Sequence, residues 1–416
     1  MFGVSVGTFA QIALDEVPEL ISACNVVSEI AMSDVKFEQS ISLLASGEQD
    51  SVKRIEQVKF EYVRFVMHLI ARAEATGAES DEDLLSVYLA LERARFADEL
   101  IGDLIVPIAL TALETNETFQ ITEDIWIEPI DADMQRARAE PILSGDRVSA
   151  LVVAAATHAV VVRNVKFDNR DYFDRRFRRN EIDLNRVDRV IQCLHIATAR
   201  DTGYAQAYVR PVDWADEWEH DLPAIWKIAK YHRYPDEFDA GGWNEDKVAV
   251  SQALLDEIPV MFTALESSPA NVQLAARRAM RAVLRDDDED KTLDATIGME
   301  ALLLSNNDRE EMTHRMAQRA AAALTADYPP QIVYGLVKKV YEHRSKIVHG
   351  RVRKTSMIRI EEVPYPAQDI AALLLRLLLG NLLRSENPWT PEQLDLKLLQ
   401  ALNHTAPTAL DSAVTE

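Results

Sequence analysis

The sequence predicts an α+β fold that is predominantly α-helical, with a mixed α/β N-terminal region followed by a C-terminal helical bundle. Three observations predict it. Two long stretches, residues 8 to about 115 and Ser268 onward, carry apolar residues at the three-and-four spacing of amphipathic helices. Between them, Phe119–Thr122 and Ile125–Pro129 alternate apolar and polar residues as half-buried strands do. The composition is globular, with 48% hydrophobic residues and only 13 Gly and 16 Pro in 416 residues.

In chain order, Glu56–Ala73 and Leu84–Leu100 read as helices. The texture changes near Ile105, and the small and β-branched run Ala150–Val162 predicts a further strand. Residues 213–267 hold turn formers, including Asp221-Leu222-Pro223, Tyr234-Pro235 and Gly241-Gly242, and read as a connection with short helices. Six helices follow: Pro269–Leu284, Thr292–Leu304, Asp308–Thr325 capped by Asn307, Gln331–His349 stopped by Gly350, Ala367–Arg384 and Pro391–Leu402. The acidic run Asp286–Asp290 reads as a solvated loop rather than a cation site. Four segments result: a mixed region over 1–212 with a sensing or regulatory role, the connection 213–267, a helical domain over 268–404, and a tail over 405–416.

Charge and cysteine content narrow the function. Cys24 and Cys193 are too few for a disulfide framework or a paired zinc site, and no metal or cofactor is expected. Met1–Glu19 lacks a basic stretch ahead of Asp15 and Glu16, so no signal peptide is expected. No apolar run reaches the ~18 residues of a membrane span, and the expected location is cytoplasmic. The formal net charge is −23 at pH 7, which as an average disfavours a phosphate-bearing partner. The average hides a local excess: Lys338 to Arg359 contains eight basic residues and one acid, Glu342, a net of 8 − 1 = +7. Arg163 to Arg189 holds nine basic and six acidic residues, a net of +3. Such windows suit a phosphate-binding surface, or equally a solvated helix end where cations complement the dipole.

The +7 window contains the end of the predicted helix Gln331–His349. Its apolar stripe runs Val333, Leu336, Val337, Val340, Ile347, which places Arg344 on the stripe. An arginine there must be paired or point into an interface. His349 follows five residues later. A guanidinium that forks onto phosphate, beside an imidazole that titrates near neutrality, is a minimal apparatus for cleaving a phosphodiester. Glu342 and Lys346 read as a surface ion pair. The Arg-x4-His spacing alone is unspecific, since Arg309–His314 also matches and Arg189–His195 comes close. Context singles out Arg344–His349, at a helix C-terminus, inside the basic window and followed by Gly350.

On these residues the chain resembles the HEPN superfamily, closest to its ApeA-like branch, over roughly Ser268 to Arg384. The resemblance rests on the order of helices, on Leu293–Leu303 (LDATIGMEALL), and on Arg344–Gly350 (RSKIVHG). It implies a helical domain that dimerises to bring two Arg-x4-His motifs into one cleft. It further implies metal-independent RNA cleavage and a role in bacterial abortive infection, with a phage-derived trigger. Arg344 and His349 take the family's catalytic positions. The residue after the Arg is commonly Asn, Asp or His in active members; here it is Ser345, whose hydroxyl can still orient a neighbour. Glu300 either orients Arg344 or His349 or is an ordinary buried-pair carboxylate. Lys346, Arg351 and Arg353 would guide the RNA backbone. The expected partners are RNA and a second copy of the chain, with no membrane.

A rival reading is a non-catalytic HEPN domain for dimerisation or partner binding. An enzyme acting elsewhere finds no support, since the chain has no GxxxxGK[ST], GxSxG or HExxH motif. The aromatics Trp214, Trp218, Trp226, Tyr231 and Tyr234 suit base stacking, although the spacing of the first two favours core packing.

Overall fold

The computed structural model describes residues 18–33, 69–138 except 71 and 75, 148–168, 182–212, 225–241, 249–350 except 306, 307, 309 and 310, and 356–403. The predicted helix Glu56–Ala73 lies largely outside these residues. So do Asn307, Arg309, Trp214, Trp218, Arg351 and Arg353, the run Arg175–Arg179 and the predicted tail.

The fold is α+β and mostly helical. In chain order the elements are α1 (Pro18–Met32), α2 (Asp81–Phe96), β1 (Glu99–Pro107), β2 (Phe119–Gln120), β3 (Ile125–Pro129), α3 (Ala132–Ala137), α4 (Ala150–Ala155), β4 (His158–Asp168), α5 (Asn185–Thr198), β5 (Tyr204–Pro211), β6 (Trp226–Arg233) and α6 (Glu237–Gly241). They continue with α7 (Gln252–Leu255), α8 (Ile258–Ser267), α9 (Ala270–Leu284), α10 (Asp288–Leu303), α11 (Met312–Ala323), α12 (Pro330–Val348), β7 (Met357–Ile360), β8 (Val363–Pro366), α13 (Ala367–Arg384) and α14 (Pro391–Asn403). None of the described helices is long and apolar enough to cross a membrane.

The first six strands form one antiparallel sheet in the order β2-β3-β4-β1-β5-β6. Alternation along β1 sends Leu104 and Val106 to one face and Ile105 to the other. Ile105 packs with Val161, Tyr208 and Met134 of α3. Leu104, Val106, Ile125, Ile127 and Val160 face the larger core. That core runs without interruption from the sheet through α5 into the C-terminal bundle. Helix α5 is the bridge: Val190, Ile191, Cys193, Leu194 and Ile196 are all buried, and it meets β4, α8, α9 and α13. Burial pushes the Cys193 thiol up to about 12, which makes it a packing residue. In the bundle α9 pairs with α10, α10 with α13, α11 with α12 and α14, and α12 with α13.

Five elements depart from the sequence expectation. The predicted helix Leu84–Leu100 ends at Phe96, and Glu99–Pro107, inside the stretch expected to be helical, is strand β1, because its run of buried apolar residues pairs between β4 and β5. Residues 150–155 form helix α4, and the strand begins only at His158. The buried Arg138 guanidinium donates to the Val153 and Ala156 carbonyls at 2.7 and 2.9 Å, so it satisfies the end of that one turn. Within the expected connection, β6 is a full strand of the sheet. The Asp286–Asp290 run is a helix start, where Asp287 accepts from the Glu289 and Asp290 N–H groups at 2.9 Å each. A β7–β8 hairpin precedes α13. The remaining C-terminal helices match their expected positions, with α11 beginning four residues later, at Met312 rather than Asp308.

Candidate functional site

Helix α12 starts at Pro330, where a missing N–H costs nothing, and buries Val333, Val337, Val340 and Ile347. It stops because Gly350 adopts a left-handed φ of 64°, with its N–H donating to the Ile347 carbonyl at 2.9 Å. His349 is the C-cap and its side chain is exposed. Its backbone N–H donates to the Ser345 carbonyl at 3.2 Å. Ser345 and Lys346 are exposed as well.

Arg344 leaves the same helix toward α10. Its Nη2 stands 3.5 Å from Oε1 of Glu300, with side-chain exposures of 29% and 25%. Its Cζ lies 5.3 Å from the centre of the Tyr341 ring, one turn earlier. Burial, and then the Glu300 carboxylate, push the Tyr341 phenol up. Arg344 Nε and Glu300 Oε1 are buried without a hydrogen bond among the described residues. The guanidinium is therefore held by charge and by the ring face, with a donor left over. That Nε is closed off from solvent; it is the exposed part of the side chain, 29% of it, that an oxyanion would meet.

The sequence-derived residues are thus partly assembled. Arg344 and Glu300 come together. His349 sits at the helix end five residues on, which a 3.6-residue helix rotates by about 140° from Arg344. Lys346 forms no ion pair with Glu342 among the described residues. The alternative motifs fall into other roles. Arg189 pairs with Glu266 at 3.0 Å, and His195 is buried with Nδ1–H donating to the Arg200 carbonyl at 2.8 Å. His314 Nδ1 bonds the Tyr334 hydroxyl at 2.8 Å.

Sequence reading missed two features. His343 is 5% exposed with Nδ1 unpartnered among the described residues, and burial lowers its pKa. The signal was present: Val340, His343 and Ile347 follow helical spacing on the same stripe. Tyr341 was the other, and its position three residues before Arg344 is the recognisable cue. Of the aromatics between Tyr204 and Trp243, Tyr231 packs edge-on against Tyr204, and Tyr234 is buried with its hydroxyl donating to Asp239 at 2.6 Å. One group among the described residues has metal-ligand geometry: His232, Asp236 and Asp239. Its imidazole is already engaged, with Nδ1 at 3.3 Å from Asp236 and Nε2 at 3.0 Å from Asp239.

No family model matches the chain, and neither the curated proteins nor the solved structures contain a match to it.

Proposed function

We propose that the protein is a metal-independent endoribonuclease of the HEPN type, acting as a homodimer in anti-phage abortive infection. The observation that carries this reading is the arrangement at the end of α12. An arginine with spare hydrogen-bonding capacity is fixed by Glu300 and Tyr341, and an exposed histidine caps the same helix within a basic segment. The RNA 2′-OH attacks the adjacent phosphorus and the P–O5′ bond breaks, giving a 2′,3′-cyclic phosphate and a 5′-OH. His349 accepts the 2′-OH proton, and His349 of the partner subunit gives a proton to the leaving oxygen. Arg344 stabilises the charge that builds on the phosphoryl oxygens. Lys346, Arg351 and Arg353 hold the backbone through contacts independent of sequence. The N-terminal region receives a phage-derived trigger.

A second reading, a non-catalytic domain for dimerisation or partner binding, draws on the same ion pair. Arg344 is already neutralised within its own chain by Glu300, and Ser345 stands where Asn, Asp or His is commonly found. The two readings separate in one experiment. The nuclease requires that Arg344→Ala abolish both RNA cleavage and growth arrest while the dimer persists. Dimeric wild-type protein that cleaves no RNA even with phage components present favours the second.

A further inference from the structure

A cleft of about 660 Å³ lies between α5 and the β6–α6 connection on one side and α9, α10 and α13 on the other. It is far larger than packing defects between helices and falls within the ~300–1,000 Å³ of small-molecule sites. Its floor is polar and incompletely satisfied. Gln368 is 7% exposed, and its Oε1 is buried with no hydrogen-bond partner among the described residues. Arg376 has no carboxylate within ion-pair distance among the described residues, and donates only to the Ile196 carbonyl, at 3.4 Å. Desolvation lowers its pKa, as expected of a cation set into the fold without a counter-charge. His195, 8% exposed, lines the floor beside it, and its Nδ1–H bond to Arg200 leaves Nε2 as an acceptor in the neutral ring.

The rim carries the opposite sign. Asp236, Asp286 and Asp369 are exposed around the mouth. The neighbouring Asp236 raises the Asp286 pKa, and burial raises that of Asp369. Arg285 does not offset them, because it is bound to Asp294 at 3.2 Å. Lys291 does so only in part, since it lowers the pKa of both Asp286 and Asp369 without cancelling their rise. The cleft therefore presents an uncompensated guanidinium and two buried acceptors at its floor, with excess carboxylate at its mouth.

We propose that this cleft binds a small zwitterionic metabolite, one that carries a carboxylate or phosphate together with an ammonium or guanidinium group. The anionic end docks on Arg376. The cationic end donates to Gln368 Oε1 and to the Asp369 carboxylate. A multiply charged anion is disfavoured by the rim, and a simple polyamine by Arg376. The site uses neither Arg344 nor His349 and does not depend on the ribonuclease reading.

Calorimetric titration of the full chain tests it with single compounds. L-arginine and O-phosphoethanolamine are the zwitterions, carrying carboxylate and phosphate respectively. Acetate, inorganic phosphate and putrescine, each carrying charge of one sign only, are the controls. At least one zwitterion binds saturably and at least about tenfold more tightly than every control, and the preferred one identifies the anionic group. Arg376→Gln removes the binding. Asp369→Asn, on the exposed rim and harmless to folding, weakens it at least about fivefold and decides the matter if Arg376→Gln does not fold. Absence of binding by both zwitterions, a control that binds as tightly, or unchanged affinity in Asp369→Asn overturns the proposal.

Discussion

Arg344 Nη2 and Glu300 Oε1 stand 3.5 Å apart, an ion pair that ties the end of α12 to α10. Both side chains are about a quarter exposed, so solvent screens the pair and its contribution to stability is under about 1 kcal/mol. Its proposed importance is orientation. Glu300→Gln is therefore expected to leave the thermal midpoint within about 3 °C of wild type. On the proposed nuclease reading, RNA cleavage in the same variant is expected to fall about tenfold, the equivalent of about 1.4 kcal/mol in the transition state. A loss of stability without any loss of cleavage would assign the pair to packing.

A second arginine makes the opposite case. Arg319 is 2% exposed and is held by Asp395 through bonds of 2.8 and 2.7 Å, by Asp308 at 2.5 Å and by the Leu303 carbonyl at 2.7 Å. It joins α11 to α14, and it holds the Asp308 carboxyl well below the usual carboxylate range. Arg319→Met leaves the buried Asp308 with only the half-exposed Arg315, at 2.8 Å, as a counter-charge, and strands Asp395 across the helix pair; it is expected to cost about 3 kcal/mol in urea unfolding. Arg136→Met, in the exposed Asp133 pair, costs less than about 1 kcal/mol.

The sequence made the C-terminal helices legible because their apolar stripes, Pro starts and Gly350 stop all agree with the fold. The rest was hidden for identifiable reasons. Ala150–Ala155 is short and β-branched enough to pass for a strand, and it is the Arg138 guanidinium, fifteen positions before Val153, that satisfies the Val153 and Ala156 carbonyls at the end of the helical turn, with Gln135 also donating to Ala156. The β7–β8 hairpin turns on Glu361 and Glu362 at φ of 45° and 69°, positions where Gly or Asn would have signalled a turn. The Asp286–Asp290 run carried its own cue, since an Asp ahead of a helix is an N-cap. At the site, Arg344's position on the apolar stripe foretold a partner, whereas the contribution of Tyr341 depends on a ring orientation that spacing alone does not give.

His158 makes the stability pH-dependent. It is 3% exposed, its Nε2–H donates to the Thr115 carbonyl at 2.7 Å, and its Nδ1 accepts from the Thr157 hydroxyl at 2.9 Å. The neutral ring satisfies both, and burial, which disfavours the charged ring, holds the pKa below the ordinary 6.5. Above pH 6.5 folded and unfolded states are both neutral, and the stabilisation is complete. As pH falls below 6.5 the unfolded chain binds the proton first, so stability declines until the folded ring titrates. Denaturant midpoints at pH 7.5, 6.5 and 5.5 are expected to fall in that order, with a smaller decrease in His158→Gln. An equal decrease in the variant would move the effect to His195 and His343, whose pKa values burial also lowers.

Gly298 sits where α10 crosses α13, and a Cβ there would meet Leu375 Cδ2 at 2.5 Å and Cδ1 at 2.9 Å. Alanine gains about 1 kcal/mol of helix propensity, while overpacking costs about 1–3 kcal/mol. Gly298→Ala is expected to be net destabilising, by up to about 2 kcal/mol in denaturant unfolding. A stabilised variant would show that Leu375 has room to move.

The most direct measurement compares the ends of RNA produced by wild-type protein and by His349→Ala. Purified protein is incubated with total RNA in the presence of phage components, and the termini are analysed. The account predicts 2′,3′-cyclic phosphate and 5′-OH ends from the wild type, and intact RNA from a His349→Ala protein that remains folded and dimeric. Identical cleavage by the variant, or wild-type products ending in 3′-OH and 5′-phosphate, would contradict it.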